Sequence, residues 1–180
     1  MRQPRVCLTG GIACGKSLLS RFLNELGVET IDADDVVHYL IPDSAERRRI
    51  AAEVFSNPAK REELEARIHP LVKARINEFL NTPLTTIRLA IIPLLFEAHW
   101  DAEYDIICCV ASERETQISR MMATRGYTHD EAEARLAAQM PVEEKAAKSH
   151  YVIYNNGTAE ELRAKAERLV EWLKPRILET

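Results

Sequence analysis

Apolar positions along the chain fall into short solid runs and longer helical stripes, and the two alternate. Arg5 to Thr9 (RVCLT) is a brief apolar run ending at glycines, which predicts a buried strand. From Lys16 to Leu26 the residues Leu18, Leu19, Phe22, Leu23 and Leu26 recur at helical spacing, and Gly27 stops the helix. Val28 to Ile31 predicts a second strand, followed by the acidic turn Asp32-Ala33-Asp34-Asp35. The pattern is then helical from Val36 to Leu80, interrupted at Pro42, Asn57-Pro58 and Pro70. Ile87 to Ile92 and the β-branched run Ile106 to Val110 predict two more strands. Ser112 with Glu115, Thr128 with Glu131 and Thr158 with Glu161 each fit a capping box, and start helices at about 113–125, 129–139 and 159–174. Tyr151 to Tyr154 is the last strand, closed by Asn155-Asn156-Gly157. Strands alternating with helices imply right-handed βαβ units, hence a three-layer α/β fold with a parallel sheet of about five strands. The strand-free stretch from about 36 to 82 reads as a helical insertion.

Composition narrows the class. The 180 residues suit a single domain over 1–180, which buries roughly 70% of its unfolded surface. With 46% apolar and 29% charged residues, disorder and a membrane class are excluded. The longest apolar run, Leu89 to Phe96, is broken by Pro93 and is a strand rather than a span. Gly10 and Gly11 interrupt the N-terminus before a signal-peptide core can form, so export is not expected. Cys7, Cys14, Cys108 and Cys109 lack metal-site spacing, and read as reduced thiols in a cytoplasmic protein. A net charge of −4 argues against a general nucleic-acid binder.

Gly10-Gly11-Ile12-Ala13-Cys14-Gly15-Lys16-Ser17 satisfies G-x-x-x-x-G-K-[ST] between a predicted strand and a predicted helix. Glycines let the backbone wrap a phosphate with its N–H groups inward, and the helix start adds its positive end. In such a loop Lys16 bridges the β- and γ-phosphates and the Ser17 hydroxyl ligates Mg²⁺. The competing reading is an ordinary Gly-rich turn. Asp32 and Asp34 fall at the end of the second predicted strand, where an open parallel sheet binds ligands. Two carboxylates beside a triphosphate can divide the work, one in the Mg²⁺ shell and one accepting a proton. Alternatively, Asp34 or Asp35 N-caps the helix carrying Val36, Val37 and Leu40.

Taken together, LTGGIACGKS (8–17), IDAD (31–34), RRRIAAEVFSNP (47–58), His69-Pro70, IPLLFE (92–97), the basic segment 120–139 and VIYNNG (152–157) resemble the dephospho-CoA kinase family. The blocks occur in the family's order and span nearly the whole chain. The resemblance implies a P-loop kinase with a helical acceptor-binding insertion at about 36–82 and a lid at about 120–140. It implies transfer of the ATP γ-phosphate to the ribose 3′-hydroxyl of dephospho-CoA, the last step of coenzyme A biosynthesis. ATP and Mg²⁺ are the implied cofactors. The implied partners are ATP and dephospho-CoA, with no nucleic acid or membrane, and a monomer or weak homo-oligomer.

Residue by residue, the resemblance makes Asp34 the catalytic base, with Lys16, Arg120 and Arg125 acting on the transferred group. Asp32 lies near the metal with Ser17, and also on the acceptor side. Gly10 to Ser17, Arg135, Asn156 and Gly157 hold ATP, and Arg47, His69, Pro93 and Glu97 lie on the acceptor side. Simpler readings compete for several of these. Arg120 and Arg125 suit a helix C-terminus, Arg135 an ion pair with Glu131 or Glu133, and His69 a helix junction. Asn155-Asn156-Gly157 suits a plain turn.

Three departures from the family pattern stand out. Ala13-Cys14 replace a common Gly-Ser, His38 replaces a usual arginine, and only DVVHYLIPDSAE separates Asp34 from Arg47. The short segment keeps open a kinase for another small acceptor, such as a nucleoside or nucleotide. A non-catalytic ATP-binding regulator is a further alternative. Cys14 either becomes a reactive thiolate at the helix start or turns into the core and stays inert.

Overall fold

The computed structural model describes residues 3–55, 57–82 and 86–178. The chain forms two compact units, one of residues 1–30 with 83–180 and one of residues 31–82.

The first unit is built on β1 (Val6–Gly10), all of whose residues are buried. That explains its unbroken apolar run, since a central parallel strand is covered on both faces. The sheet order is β2 (Glu29–Asp32), β3 (Arg88–Ile91), β1, β4 (Ile106–Ala111) and β5 (Tyr151–Tyr154). β1 pairs in parallel with β3 and β4, and β4 with β5. The five-stranded α/β architecture read from the alternating pattern is therefore present.

Helix α1 (Lys16–Glu25) buries Leu19, Phe22 and Leu23. It shares the core with Leu162, Leu169 and Leu173 of α8 (Ala159–Ile177), beside Leu8, Leu89 and Val110 of the sheet. α8 begins as predicted at Thr158, whose hydroxyl accepts from Glu161 N, but passes its predicted end and includes Pro175. Trp172 lies against Tyr151, with ring centroids 4.9 Å apart. α6 (His129–Ala137) opens with a complete Thr128–Glu131 capping box.

The box predicted at Ser112 does not form, and at Thr158 only the hydroxyl half of the box is present. Ser112 Oγ donates instead to the Asn155 carbonyl at 2.6 Å, and α5 (Arg114–Arg125) starts after Glu113 without a side-chain cap. A buried hydroxyl goes to the nearest stranded carbonyl, and here that carbonyl belongs to the neighbouring strand's end. The sequence reading also omitted α7 (Val142–Ala147), whose six residues are too few to display a period. Among the described residues no helix is long and apolar enough to cross a membrane.

The second unit holds α2 (Ala33–Leu40), α3 (Ser44–Phe55) and α4 (Pro58–Asn81). Asn57 caps α4 by accepting from Lys60 N, with Pro58 in the first turn, where its missing N–H costs nothing. The interruption expected at Pro70 does not occur, and α4 runs through it. Ser56, within the 47–58 motif, lies outside the described residues.

Candidate active site

The phosphate loop bridges β1 and α1. Gly10, Ala13 and Gly15 have φ of 152°, 58° and 97°. The glycines are required at both ends: a Cβ on Gly10 would strike the Val110 carbonyl, and one on Gly15 the Asn155 amide. Every carbonyl from Gly10 to Cys14 accepts a side-chain hydrogen bond. Lys16 Nζ donates to Gly10 O at 2.9 Å and Gly11 O at 2.7 Å. Gln117 Nε2 donates to Ile12 O at 2.7 Å, Arg120 to Ala13 O at 3.3 Å, and Asn155 Nδ2 to Cys14 O at 2.9 Å. With the carbonyls occupied, the loop N–H groups other than that of Cys14, which donates to Gly11 O at 3.4 Å, are left to bind an anion. Ser17, in the first turn of α1, is exposed.

Cys14 answers its own question. Its side chain is fully buried, and burial raises its pKa despite the opposing charge of Lys16. Burial also pushes Cys7 well above its ordinary value and Cys108 and Cys109 to about 12. A raised pKa means less thiolate at neutral pH, so brief iodoacetamide treatment at pH 7.5 is expected to leave all four thiols unlabelled until the protein is unfolded. Peptide mapping checks this, and rapid native labelling of Cys14 would contradict it.

The three arginines of α5 and α6 separate by environment. Arg120 is half-buried and bridges Ala13 O to Ser112 Oγ, the latter at 3.1 Å. Arg125 is exposed in the last turn of α5. Arg135 stacks on the Tyr127 ring at 4.3 Å. Of the carboxylates expected beside it, Glu131 feels its charge although held in the capping box, and Glu133 pairs with Arg114. Ile118, Met121 and Ala132 form a small apolar cluster that packs on Ile12 and Ala13, so α5 and α6 rest on the phosphate loop.

At the other flank, Gly15, Leu18, Arg120, Asn155, Gly157 and Thr158 line a cavity of about 190 Å³. Asn156, the residue assigned to ATP from the sequence, exchanges hydrogen bonds with Glu113. Its buried neighbour Asn155 is the one that touches the loop. Asn155 and Gln117 were missed because a buried amide leaves no periodic or spacing signal.

Glu97 accepts at Oε1 from the fully buried Lys145 at 2.8 Å and from Met140 N at 3.0 Å. Lys145 also donates to Pro93 O at 2.8 Å. Both Pro93 and Glu97 are thus tied to α7, and Lys145 was not anticipated.

In the second unit, Asp32 rather than Asp34 or Asp35 caps α2, accepting from Asp34 N at 2.8 Å. The Asp34 side chain is exposed and is not the cap. Arg47 donates to the carbonyls of Ile41 and Pro42 at 2.6 and 2.8 Å, holding the turn between α2 and α3. His69 is half-buried, and burial lowers its pKa, with Glu65 opposing. A cavity of about 540 Å³ opens between Leu40, Ile50, Leu64 and Ile68, with Arg49, Lys60 and Arg67 among its lining.

The sequence profile of the dephospho-CoA kinase family matches residues 5–46 and 40–161. The two matched ranges overlap at 40–46, at the junction of α2 and α3. A dephospho-CoA kinase of Geobacter sulfurreducens is 38% identical over 195 residues, covering 93% of this chain and 96% of that one. A crystal structure from Thermus thermophilus superposes with a TM-score of 0.80 at 32% identity, covering 95% of this chain and 98% of the other. A dephospho-CoA kinase from Campylobacter jejuni, 23% identical with a TM-score of 0.63 over 94% of this chain and 97% of its own, shares the fold. On the phosphate loop, the matched profile and relatives that align almost end to end, the chain belongs to the dephospho-CoA kinase family.

Proposed function

We propose that the protein transfers the γ-phosphoryl group of ATP to the ribose 3′-hydroxyl of dephospho-CoA, releasing CoA and ADP. The observation that carries this reading, beside family membership, is the phosphate loop with all five carbonyls engaged and Lys16 folded over it. Phosphoryl transfer asks the protein mainly for positioning and charge stabilisation. The loop N–H groups and Lys16 take the β- and γ-phosphates. Arg120 and Arg125 offset charge on the transferring group, since a guanidinium fork binds phosphate oxygens in pairs. Asp34 accepts the proton of the attacking hydroxyl. The cavity between Arg120 and Gly157 takes the nucleoside. The exposed Ser17 hydroxyl, an oxygen donor in the first turn of α1, fits Mg²⁺ arriving with ATP, and the ion when bound neutralises phosphate charge. The four buried thiols suit a reducing, cytoplasmic setting.

The short stretch between α2 and α3 favours one second reading, the same chemistry on a smaller acceptor. An acceptor panel with γ-labelled ATP separates the two. Label is expected on dephospho-CoA and not on nucleosides or nucleotides, and excess chelator should abolish transfer. Label on a nucleoside alone would replace the first reading with the second.

The exposed Arg125 and Arg135 are expected to gather phosphate contacts when ATP binds. Amide exchange should therefore slow between Arg125 and Ala137 on adding a non-hydrolysable ATP analogue with Mg²⁺. Equal protection in both states would remove lid closure from the mechanism.

A further inference from the structure

The sequence motif accounts for the loop's glycines and lysine but not for what fixes its middle. Lys16 engages the first two carbonyls, Gly10 and Gly11. Two amides remote in sequence engage others. Gln117 reaches Ile12 O across 105 residues, and Asn155 reaches Cys14 O across 141. Both side chains belong to buried residues, 3% and 5% exposed, so water does not compete for these bonds.

Both amides are also anchored. Gln117 shares the buried face of α5 with Ile118 and Met121. Asn155 donates its N–H to Ala111 O at 2.7 Å, and its carbonyl accepts from Ser112 Oγ.

A trans peptide unit is planar, so its C=O and the following N–H point in opposite directions. Fixing the Ile12 carbonyl fixes the N–H of Ala13, and fixing the Cys14 carbonyl fixes the N–H of Gly15. Ala13 has a φ of 58°, which an alanine seldom adopts unless its surroundings hold it there. Gly15 closes on Asn155 so tightly that a Cβ would collide with the amide.

We infer that Gln117 and Asn155 are positioning residues for phosphoryl transfer, which aim the Ala13 and Gly15 N–H groups at the ATP phosphates by holding the carbonyls of Ile12 and Cys14. The inference rests on the loop being the phosphate site. It gives α5 two attachments to the loop one helical turn apart, Gln117 at Ile12 and Arg120 at Ala13. The lid's first helix is thereby joined to the site it covers.

The test uses Gln117→Met, which keeps length and removes the donor, with Asn155→Leu as its companion. Calorimetry measures binding of ATP, ADP and adenosine, and initial rates give KM for each substrate. Losing one such bond, with its acceptor left unsatisfied, should weaken ATP and ADP about ten-fold. For Gln117→Met, adenosine affinity and KM for dephospho-CoA should stay within about two-fold, because Gln117 does not line the nucleoside cavity and neither quantity depends on the loop N–H groups. A merely structural amide would instead lower the melting temperature without separating ATP from adenosine.

Should Asn155→Leu fail to fold, Gln117→Met decides alone. ATP affinity within two-fold of the parent overturns the inference, as does an equal loss for adenosine and ATP. Lys16→Ala serves as the reference. If it weakens ATP and Gln117→Met does not, only the positioning role falls. If Lys16→Ala binds ATP like the parent, the loop is not the phosphate site and both readings fall.

Discussion

Asp34→Asn is expected to lower kcat by about 10²-fold or more, with KM for ATP and folding stability close to those of the parent. The substitution keeps the shape of the side chain and removes only its ability to accept a proton. Stability should be spared because Asp34 is exposed and does not cap α2. That work falls to Asp32, whose carboxylate accepts from Asp34 N at 2.8 Å. The two acidic residues therefore make opposite predictions. Asp32→Ala removes a cap and should cost about 1 kcal/mol, while Asp32→Asn, itself a good cap, should cost much less. Steady-state kinetics and thermal melts on the three variants read the difference. Near-parental kcat in Asp34→Asn would end the assignment of a base, whatever the melts show.

What the sequence made legible was whatever is local. The solid apolar runs became buried strands because a central parallel strand has no polar face to display. Thr128 and Thr158 capped their helices because the groups they satisfy lie three residues ahead. The phosphate loop was legible for the same reason: eight consecutive residues hold its glycines, lysine and serine.

What failed was decided by distant partners. Ser112 has the local signature of a cap, yet its hydroxyl is claimed by Asn155, 43 residues away. Glu133 had the spacing to meet Arg135, but Arg114 took it. Gln117 and Asn155 resembled any polar residue on a helix or in a turn until the sheet brought them to the loop. At Asp32 the acidic turn was visible, and only backbone geometry could say which carboxylate turned back to cap.

Lys145 is the sharpest instance, a lysine that the sequence places on the solvent side by default and the fold buries completely. Its ammonium sits 2.8 Å from Glu97 Oε1 and 2.8 Å from the Pro93 carbonyl, while Glu97 keeps 24% side-chain exposure and also accepts from Met140 N. This pairing orders a set of variants. Glu97→Ala strands a buried charge and should destabilise the protein by about 3–5 kcal/mol. At about 2–4 °C per kcal/mol for a chain of this size, the melting temperature should fall on the order of 10 °C. Lys145→Met should cost a similar amount, because the carboxylate left behind keeps the Met140 N–H while its Oε2 is buried without a hydrogen-bond partner among the described residues. The double variant Glu97→Leu with Lys145→Met should recover most of the loss, since apolar replacement of a buried pair removes the desolvation penalty along with the attraction. Melts of the parent, both single variants and the double variant form a thermodynamic cycle. Additive losses would mean that the two side chains do not act as a pair. A loss in Lys145→Met far below that in Glu97→Ala would mean that the buried carboxylate does not depend on its partner. The expected ordering, with the double variant above Glu97→Ala, identifies the pair as a specific join between α7, Met140 and the segment after β3.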